Sequence, residues 1–197
     1  MDEKERKVTH MKSINYIITL FCTIGAEAGT LNVVHLAQQE KVSIEVKCQA
    51  VSQVFPLDHG GNSGTFSLPA KPATLQWNQD KSSLVSVDTS NIGKIAVLFL
   101  KDESPTWHVI DSTPQENKNA LRIINLTMGK ITLSANDREA TVESMTEQDM
   151  GIVASSSISI KLLGEKIRTV KPEDPCAYLA VVYREGEKTL VHFIADR

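Results

Sequence analysis

The chain is poor in cysteine and in aromatic residues. Three cysteines occur in 197 residues, and phenylalanine, tryptophan and tyrosine together make up 5 % of the composition. Cys22 lies inside an apolar N-terminal run, so Cys48 and Cys176 are the two that bear on the fold. They belong to different copies of an internal repeat described below, at positions that do not correspond, which excludes a disulfide within each copy. One bridge between the copies stays open, but two buried, unpaired thiols are the favoured interpretation.

An excess of charge of one sign is also lacking. The chain has 21 basic and 24 acidic residues and a formal net charge of −3. Phosphate binding requires clustered lysine and arginine, so we expect no nucleic-acid partner. The apolar run from Ile14 to Ile24 is shorter than the roughly 20 residues that a membrane helix needs. We therefore expect no stable membrane span once a signal peptide has been removed.

Recognisable metal-binding and catalytic patterns are missing as well. His35, His59, His108 and His192 are isolated, with no H-x-x-x-H pair and no neighbouring C-x-x-C. We accordingly predict no metal, no cofactor and no catalytic residues, which makes a non-enzymatic protein the leading hypothesis.

One segment does resemble a catalytic motif. Gly61-Asn62-Ser63-Gly64 is similar to the nucleophile segment of trypsin-like serine proteases, in which a further glycine follows and the serine lies in the second of two barrels. Here Thr65 replaces that glycine, and too few residues precede Ser63 to form a barrel. A glycine-rich hairpin loop is the favoured interpretation. A hydrolase that uses the loop from Asp58 to Ser63 remains an alternative.

The N-terminal region has the pattern of a secretory signal peptide, which we assign to residues 1–28. Lys12 is a short basic start, an apolar stretch follows, and Ala26-Glu27-Ala28 gives the small-x-small cleavage pattern. Because the residues before it are unusually acidic for a signal, Met11 is a possible true start. The expected location is the periplasm, the cell envelope or the extracellular space.

The clearest positive feature is an internal repeat. Leu31 to Leu36 recurs as Leu121 to Leu126, and Ile95 to Phe99 recurs as Leu179 to Tyr183. The same order and nearly equal spacing indicate a duplication. The middles of the copies do not align, and we place the extra residues of the first copy in the loop from Gly60 to Gly64.

Apolar periodicity predicts an all-β fold. Alternating apolar residues predict half-buried strands at Val42 to Val46 and at Ile131 to Ala135, whereas the continuous runs at Ile95 to Leu100 and Leu179 to Tyr183 predict central strands buried on both faces. The best helical candidate is the short stretch from Thr141 to Met150. Many short strands separated by turns favour sandwiches over a parallel α/β sheet.

We therefore predict two tandem immunoglobulin-like β-sandwich domains related by internal duplication. The first covers residues 29–111 and the second residues 120–197. The segment 112–119 contains no apolar residue apart from Pro114, so we assign it as the linker.

Candidate binding residues are few. Trp77 and Trp107 are the two tryptophans; exposed together they would stack on a sugar or anchor a partner, but core positions are favoured. His59 and Asn62 belong to the longer loop of the first copy. Arg122 is the one candidate for the basic site that a pilus-type chaperone needs.

The openings Leu31 to Leu36 and Leu121 to Leu126, with the closing run Ala177 to Val182, are similar to exported bacterial β-sandwich domains of unknown function that often occur in tandem. That resemblance implies a binding or structural role at the cell envelope, with an envelope protein or a glycan as partner. It supplies no catalytic residues. A periplasmic pilus-type chaperone that binds clients by strand addition is a second alternative.

Overall fold

We analysed a computed structural model of the chain. It describes residues 28–37, 41–69, 71–78, 84–89, 93–112, 120–136, 138–152, 158–162, 165–170 and 177–196. The predicted signal segment before residue 28, Cys176, and residues 113–119 of the predicted linker lie outside the described residues.

All regular secondary structure in the described residues is β. The eight strands of the first half are β1 (Ala28–His35), β2 (Lys41–Cys48), β3 (Val51–Asp58), β4 (Asn62–Pro69), β5 (Ala73–Trp77), β6 (Val85–Val87), β7 (Lys94–Lys101) and β8 (Ser104–Asp111). The eight strands of the second half are β9 (Ala120–Asn125), β10 (Ile131–Ala135), β11 (Arg138–Val142), β12 (Thr146–Ile152), β13 (Ile158–Leu162), β14 (Glu165–Val170), β15 (Ala177–Glu185) and β16 (Lys188–Asp196).

These strands form four sheets of four strands each. In the first half, sheet I has the order β4-β1-β7-β8 and sheet II the order β3-β2-β5-β6. In the second half, sheet III has the order β12-β9-β15-β16 and sheet IV the order β11-β10-β13-β14. Neighbouring strands are antiparallel except at the middle of sheets I and III, where β1 is parallel to β7 and β9 to β15. The two halves therefore share one strand order.

Register follows the sequence repeat as well. Val33 pairs with Ala96 in sheet I, and the residues that the repeat places opposite them, Ile123 and Ala180, pair in sheet III. Strand pairing is therefore the same in the parts of the two copies that align.

Each half encloses an apolar core between its two sheets, as the alternating strands predict. In the first half, Val42, Ile44 and Val46 of β2 point into this core and the residues between them point outward. In the second half, Ile131, Leu133 and Ala135 of β10 do the same. Alternation places one face of each of these two strands on a core and turns the other face outward.

A third apolar core lies between sheets I and III and joins the two halves. We call it the central core; its buried members are Val34, Leu36, Ile95, Val97, Phe99, Ile110, Ile124, Leu126, Leu179, Val181, Tyr183 and Ile194. The layers therefore follow the order II, I, III, IV. Sheets I and III are covered on both faces, which explains why Ile95 to Phe99 and Leu179 to Tyr183 are continuous buried runs. The prediction of central strands buried on both faces is confirmed.

The helix predicted from Thr141 to Met150 is wrong. This segment forms the end of β11, a turn and most of β12. Met145 has a φ of 58°, outside the helical region, and its backbone N–H donates to the carbonyl of Asn125. The backbone bonds of this short segment go to β9 and β10 instead, since isolated helices of this length are only marginal in water.

Candidate functional site

The connections that follow the four central strands gather at one end of sheets I and III. Because β1 is parallel to β7 and β9 to β15, each pair of strands ends on the same side of its sheet. A contact between His59, in the turn after β3, and Tyr183, near the end of β15, shows that these two ends lie together. We call this region the turn end.

The turn end contains a cleft of about 590 Å³ between the two halves. Three connections line this turn cleft: the β7–β8 turn, the loop after β9, and the β15–β16 turn. Leu100 and Leu126 give it an apolar floor, and the side chain of Met128 is 58 % exposed at its edge. Its charged lining residues are Lys101, Asp102, Glu103, Arg184 and Glu187. An exposed methionine in a cleft with a charged rim is typical of an adaptable binding surface.

The β7–β8 turn is held in an unusual backbone conformation. Asp102 and Glu103 have φ values of 50° and 63°, the left-handed region that a two-residue hairpin turn requires and that glycine or asparagine usually fills. The matched turn of the second half has Gly186 there, with a φ of 59°. Non-glycine residues in this region cost about 1–3 kcal/mol each. Two adjacent carboxylates are therefore kept at the rim of the turn cleft against the local backbone preference.

His59 connects the halves beside this cleft. Its Nδ1 lies 3.0 Å from the carbonyl oxygen of Ala37, which only a protonated Nδ1 satisfies, so Nε2 faces the phenol oxygen of Tyr183 at 3.5 Å. The ring of His35, which is fully buried, meets the ring of His59 edge-on at a centroid distance of 5.9 Å. His59 itself is exposed. The predicted binding residue His59 thus lies at the turn end.

The second half builds the same loop from different side chains. Asn125, which aligns with His35, is fully buried, and its Nδ2 lies within hydrogen-bond distance of the carbonyls of Gly129, Val142 and Glu143. Its Oδ1 accepts bonds from the backbone N–H and the hydroxyl of Thr127. Asn125, Leu126 and Thr127 match the N-x-T pattern of glycosylation acceptors, but the buried side chain of Asn125 holds this loop together instead. A histidine pair distinguishes the first half at this place.

The two tryptophans lie on different sheets. Trp77 is in β5 of sheet II and Trp107 in β8 of sheet I, and both are half-buried against the core of the first half. The structure does not place them at the turn cleft.

Asn62 and Ser63 shape the start of β4. Asn62 is exposed, and its Oδ1 accepts a bond from the N–H of Gly64. The Ser63 hydroxyl accepts from the N–H of Val33 at 2.9 Å and donates to the carbonyl of Gly64 at 2.8 Å. The β1–β4 register shifts between Asn32 and Val34, so this hydroxyl repairs backbone bonding at a β-bulge. The turn before this segment joins β3 of sheet II to β4 of sheet I, and these two strands are not paired with each other. The predicted hairpin loop is therefore wrong, because the chain passes from one sheet to the other here.

Arg122 bridges the halves on the other side of the central core. Its guanidinium donates to the carbonyl oxygen of Asp111 in β8 at 2.7 Å and lies 3.5 Å from the carboxylate of Glu147 in β12. The side chain is 13 % exposed. Arg122 therefore joins the edges of sheets I and III.

Within the described residues, no group of three or more histidine, cysteine or acidic side chains has the arrangement of a metal site. Over the same residues, no helix has both the length and the apolar character needed to cross a membrane.

Comparison with known proteins gives little. No model of a protein family matches the chain, and no curated protein does. Among solved structures, the chain is similar to the Bacillus anthracis TIE protein at a TM-score of 0.31 and 14 % identity. The match covers 86 % of this chain and 31 % of that one, so the chain spans about a third of that protein's length. The likeness is too weak to define a shared fold.

Sequence reasoning missed the turn cleft. Met128 and the pair Asp102-Glu103 were not singled out, although the charged pair stands between two strongly apolar strands and so marks a two-residue turn. Nothing in the sequence shows that this turn faces the loop after β9.

Proposed function

We propose that this is a non-enzymatic exported binding protein built from two duplicated immunoglobulin-like sandwiches. The domain limits are those of the sequence, residues 29–111 and 120–197, with 112–119 as the linker and residues 1–28 as the signal peptide. The identical strand order of the two halves supports the duplication. Paired four-stranded sheets with a core between them support the immunoglobulin-like class.

The turn cleft is the binding site in this proposal. The observation that carries it is that turns from both halves line one cleft with an apolar floor and an exposed methionine. Connections at the end of a rigid sandwich are where such scaffolds carry recognition. The central core fixes the two sets of turns relative to each other. The partner is an envelope protein or a glycan. The cleft has charges of both signs and, among the lining residues that the structure describes, no aromatic side chain on which a sugar could stack, which favours the protein.

Two matched variants test the proposal. Met128→Glu places a charge at the edge of the turn cleft, and Val54→Glu places the same charge on β3; the two wild-type side chains are 58 % and 55 % exposed. The immobilised protein and each variant are incubated with envelope extracts, and the bound proteins are compared. We expect Met128→Glu to lose a partner that the wild type and Val54→Glu retain. Retention by Met128→Glu contradicts the proposal.

The same experiment tests the strand-addition alternative. β3 is an edge of sheet II and exposes Val51 and Val54, which favours an added strand there. Pro56 interrupts the same edge, since proline has no N–H to donate to a new strand. Loss of the partner in Val54→Glu alone would move the binding site to β3.

A further inference from the structure

Three of the four histidines that the structure describes, His59, His108 and His192, lie at the boundary between the halves. His59 contacts Tyr183 at the turn end, and the ring of His35 packs on His59 from the first half. On the same side of sheet III, the His192 ring lies next to Gly60, in the turn that His59 begins. His108 lies at the opposite edge, where β8 of sheet I meets β12 of sheet III. The repeat places His108 and His192 at matched positions, and both face the other half.

The surroundings of His108 decide what its protonation does. His108 is half-buried in an open depression that it shares with Ile110 and Asp111 of β8 and with Met145 and Glu147 of the second half. Its partner across the β7–β8 ladder is Val97, which belongs to the apolar central core. Two acidic residues line the depression with it, Glu147 on β12 and, on its own strand, Asp111, and the Arg122 guanidinium of β9 contacts both of these residues.

Both of these carboxylates already have cationic partners. Glu147 lies 3.5 Å from the Arg122 guanidinium, and Asp111 pairs with Lys94. A positive His108 therefore adds a third cation to a site with two anions. Arg122 is the side chain that ties β9 to the Asp111 carbonyl of β8, so repulsion from a positive His108 would weaken this link between the halves.

Burial of the His108 ring also disfavours its protonated form. Desolvation lowers the pKa of His108, and the nearby Glu147 carboxylate opposes this shift only in part. An exposed histidine titrates near 6.5. His108 therefore binds a proton more readily when the boundary is open than when it is closed. The closed form keeps its full stability above about pH 6.5 and loses stability as the pH falls from there through the lowered pKa of His108.

We propose that the β8–β12 edge of the boundary is an acid-sensitive joint in which a protonated His108 repels Arg122, weakens its bond to the Asp111 carbonyl and frees the edge strands. The joint is independent of whether the turn cleft binds a partner.

Hydrogen exchange of the full chain at pH 7.5 and 5.5, corrected for the intrinsic effect of pH, tests the joint. We expect protection of the β8 and β12 amides to fall at pH 5.5 by up to about tenfold, the limit for one unit of pH. In His108→Gln, which stays neutral, the acid-dependent loss in β8 and β12 should vanish, whereas any loss in β4 and β16, which lie beside His59 and His192, should stay as in the wild type.

A second variant keeps the test decisive if His108→Gln does not fold. Glu147→Gln removes the carboxylate that opposes the shift, so its β8 amides should lose more protection at pH 5.5 than those of the wild type. An unchanged acid response of β8 and β12 in His108→Gln, or a weaker response in Glu147→Gln, would each overturn the proposal.

Discussion

The phenol oxygen of Tyr183 lies 3.5 Å from Nε2 of His59, although 124 positions separate the two residues in the chain. Tyr183 is 5 % exposed and its ring belongs to the central core, whereas His59 is exposed in the turn between β3 and β4. The contact is therefore where the apolar layer between the halves ends and the turn end begins.

Two substitutions separate the hydroxyl of Tyr183 from its ring. Tyr183→Phe keeps the ring in the central core, so we expect a loss of only about 0.5–1.5 kcal/mol in the free energy of unfolding. Tyr183→Ala leaves a cavity and should cost about 3–5 kcal/mol. Urea unfolding of the three proteins measures both values. Equal losses would mean that the ring contributes little to the central core.

Phe99 and Leu98 are adjacent in β7 but belong to different cores. Phe99 lies in the central core and Leu98 in the core of the first half, and both are fully buried. Each change to alanine should cost about 2–5 kcal/mol. Hydrogen exchange distinguishes them: Phe99→Ala should raise exchange in β15 as well as β7, while Leu98→Ala should affect sheets I and II. If hydrogen exchange in β15 rose in Leu98→Ala and not in Phe99→Ala, this result would contradict the layer order.

Asn125 organises the loop after β9. Asn125→Ala removes the acceptor of the Thr127 bonds and leaves buried carbonyls without their donor, so we expect a loss of about 2–3 kcal/mol or more. Thr127→Val removes one hydroxyl and should cost less, which chemical denaturation will show. The folded protein should also remain unglycosylated at Asn125 when exposed to a glycosylating system. Modification of the native protein there would contradict the burial of this side chain.

Gly29 and Gly129 should differ in how substitution by alanine changes the stability of the protein. A Cβ on Gly29 would collide with the backbone oxygen of Thr89, whereas a Cβ on Gly129 would have nothing within 4 Å. Gly29→Ala should therefore destabilise the protein by about 1–3 kcal/mol, since backbone cannot move aside as a flexible side chain does. Gly129→Ala should be neutral or slightly stabilising. Thermal unfolding of both variants measures this difference. An unchanged unfolding temperature in Gly29→Ala would contradict the prediction.

Cys48 should be a slow thiol in the native protein. Its side chain is free and 1 % exposed, and burial raises the pKa of the thiol, which reduces the reactive thiolate at neutral pH. In a Cys176→Ser variant of residues 29–197, a thiol reagent should label Cys48 quickly only in denaturant. Rapid stoichiometric labelling without denaturant would show that this side of the first-half core is open.

Much of the fold was readable from local patterns. The runs at Ile95 to Phe99 and Leu179 to Tyr183 indicated strands buried on both faces, and the structure places them at the middle of sheets I and III. The helix predicted from Thr141 to Met150 was wrong because a bulge between Asp149 and Gly151 breaks the alternation of the seven-residue strand β12. A bulge removes the period on which the prediction depends.

The sequence indicated far less of the candidate site than of the fold. His59 was named from its loop, but Met128, Asp102 and Glu103 were not, because each is an ordinary polar-turn or surface residue until the other half is placed beside it. The tryptophans attracted notice by their rarity, yet both pack on the first-half core. A rare tryptophan is as consistent with a large side chain that fills a core as with one that contacts a partner at the surface.

The sequence alone determined the strands, the faces they bury and the matched ends of the two copies, because these depend on a period of two and on runs of apolar side chains. Only the tertiary structure decided that sheets I and III pack against each other and bring His59 to Tyr183 and the β7–β8 turn to Met128. The reason is that a continuous apolar run specifies burial on both sides without specifying the partner. Which surface covers sheet I depends on shape and on the whole set of contacts across the central core.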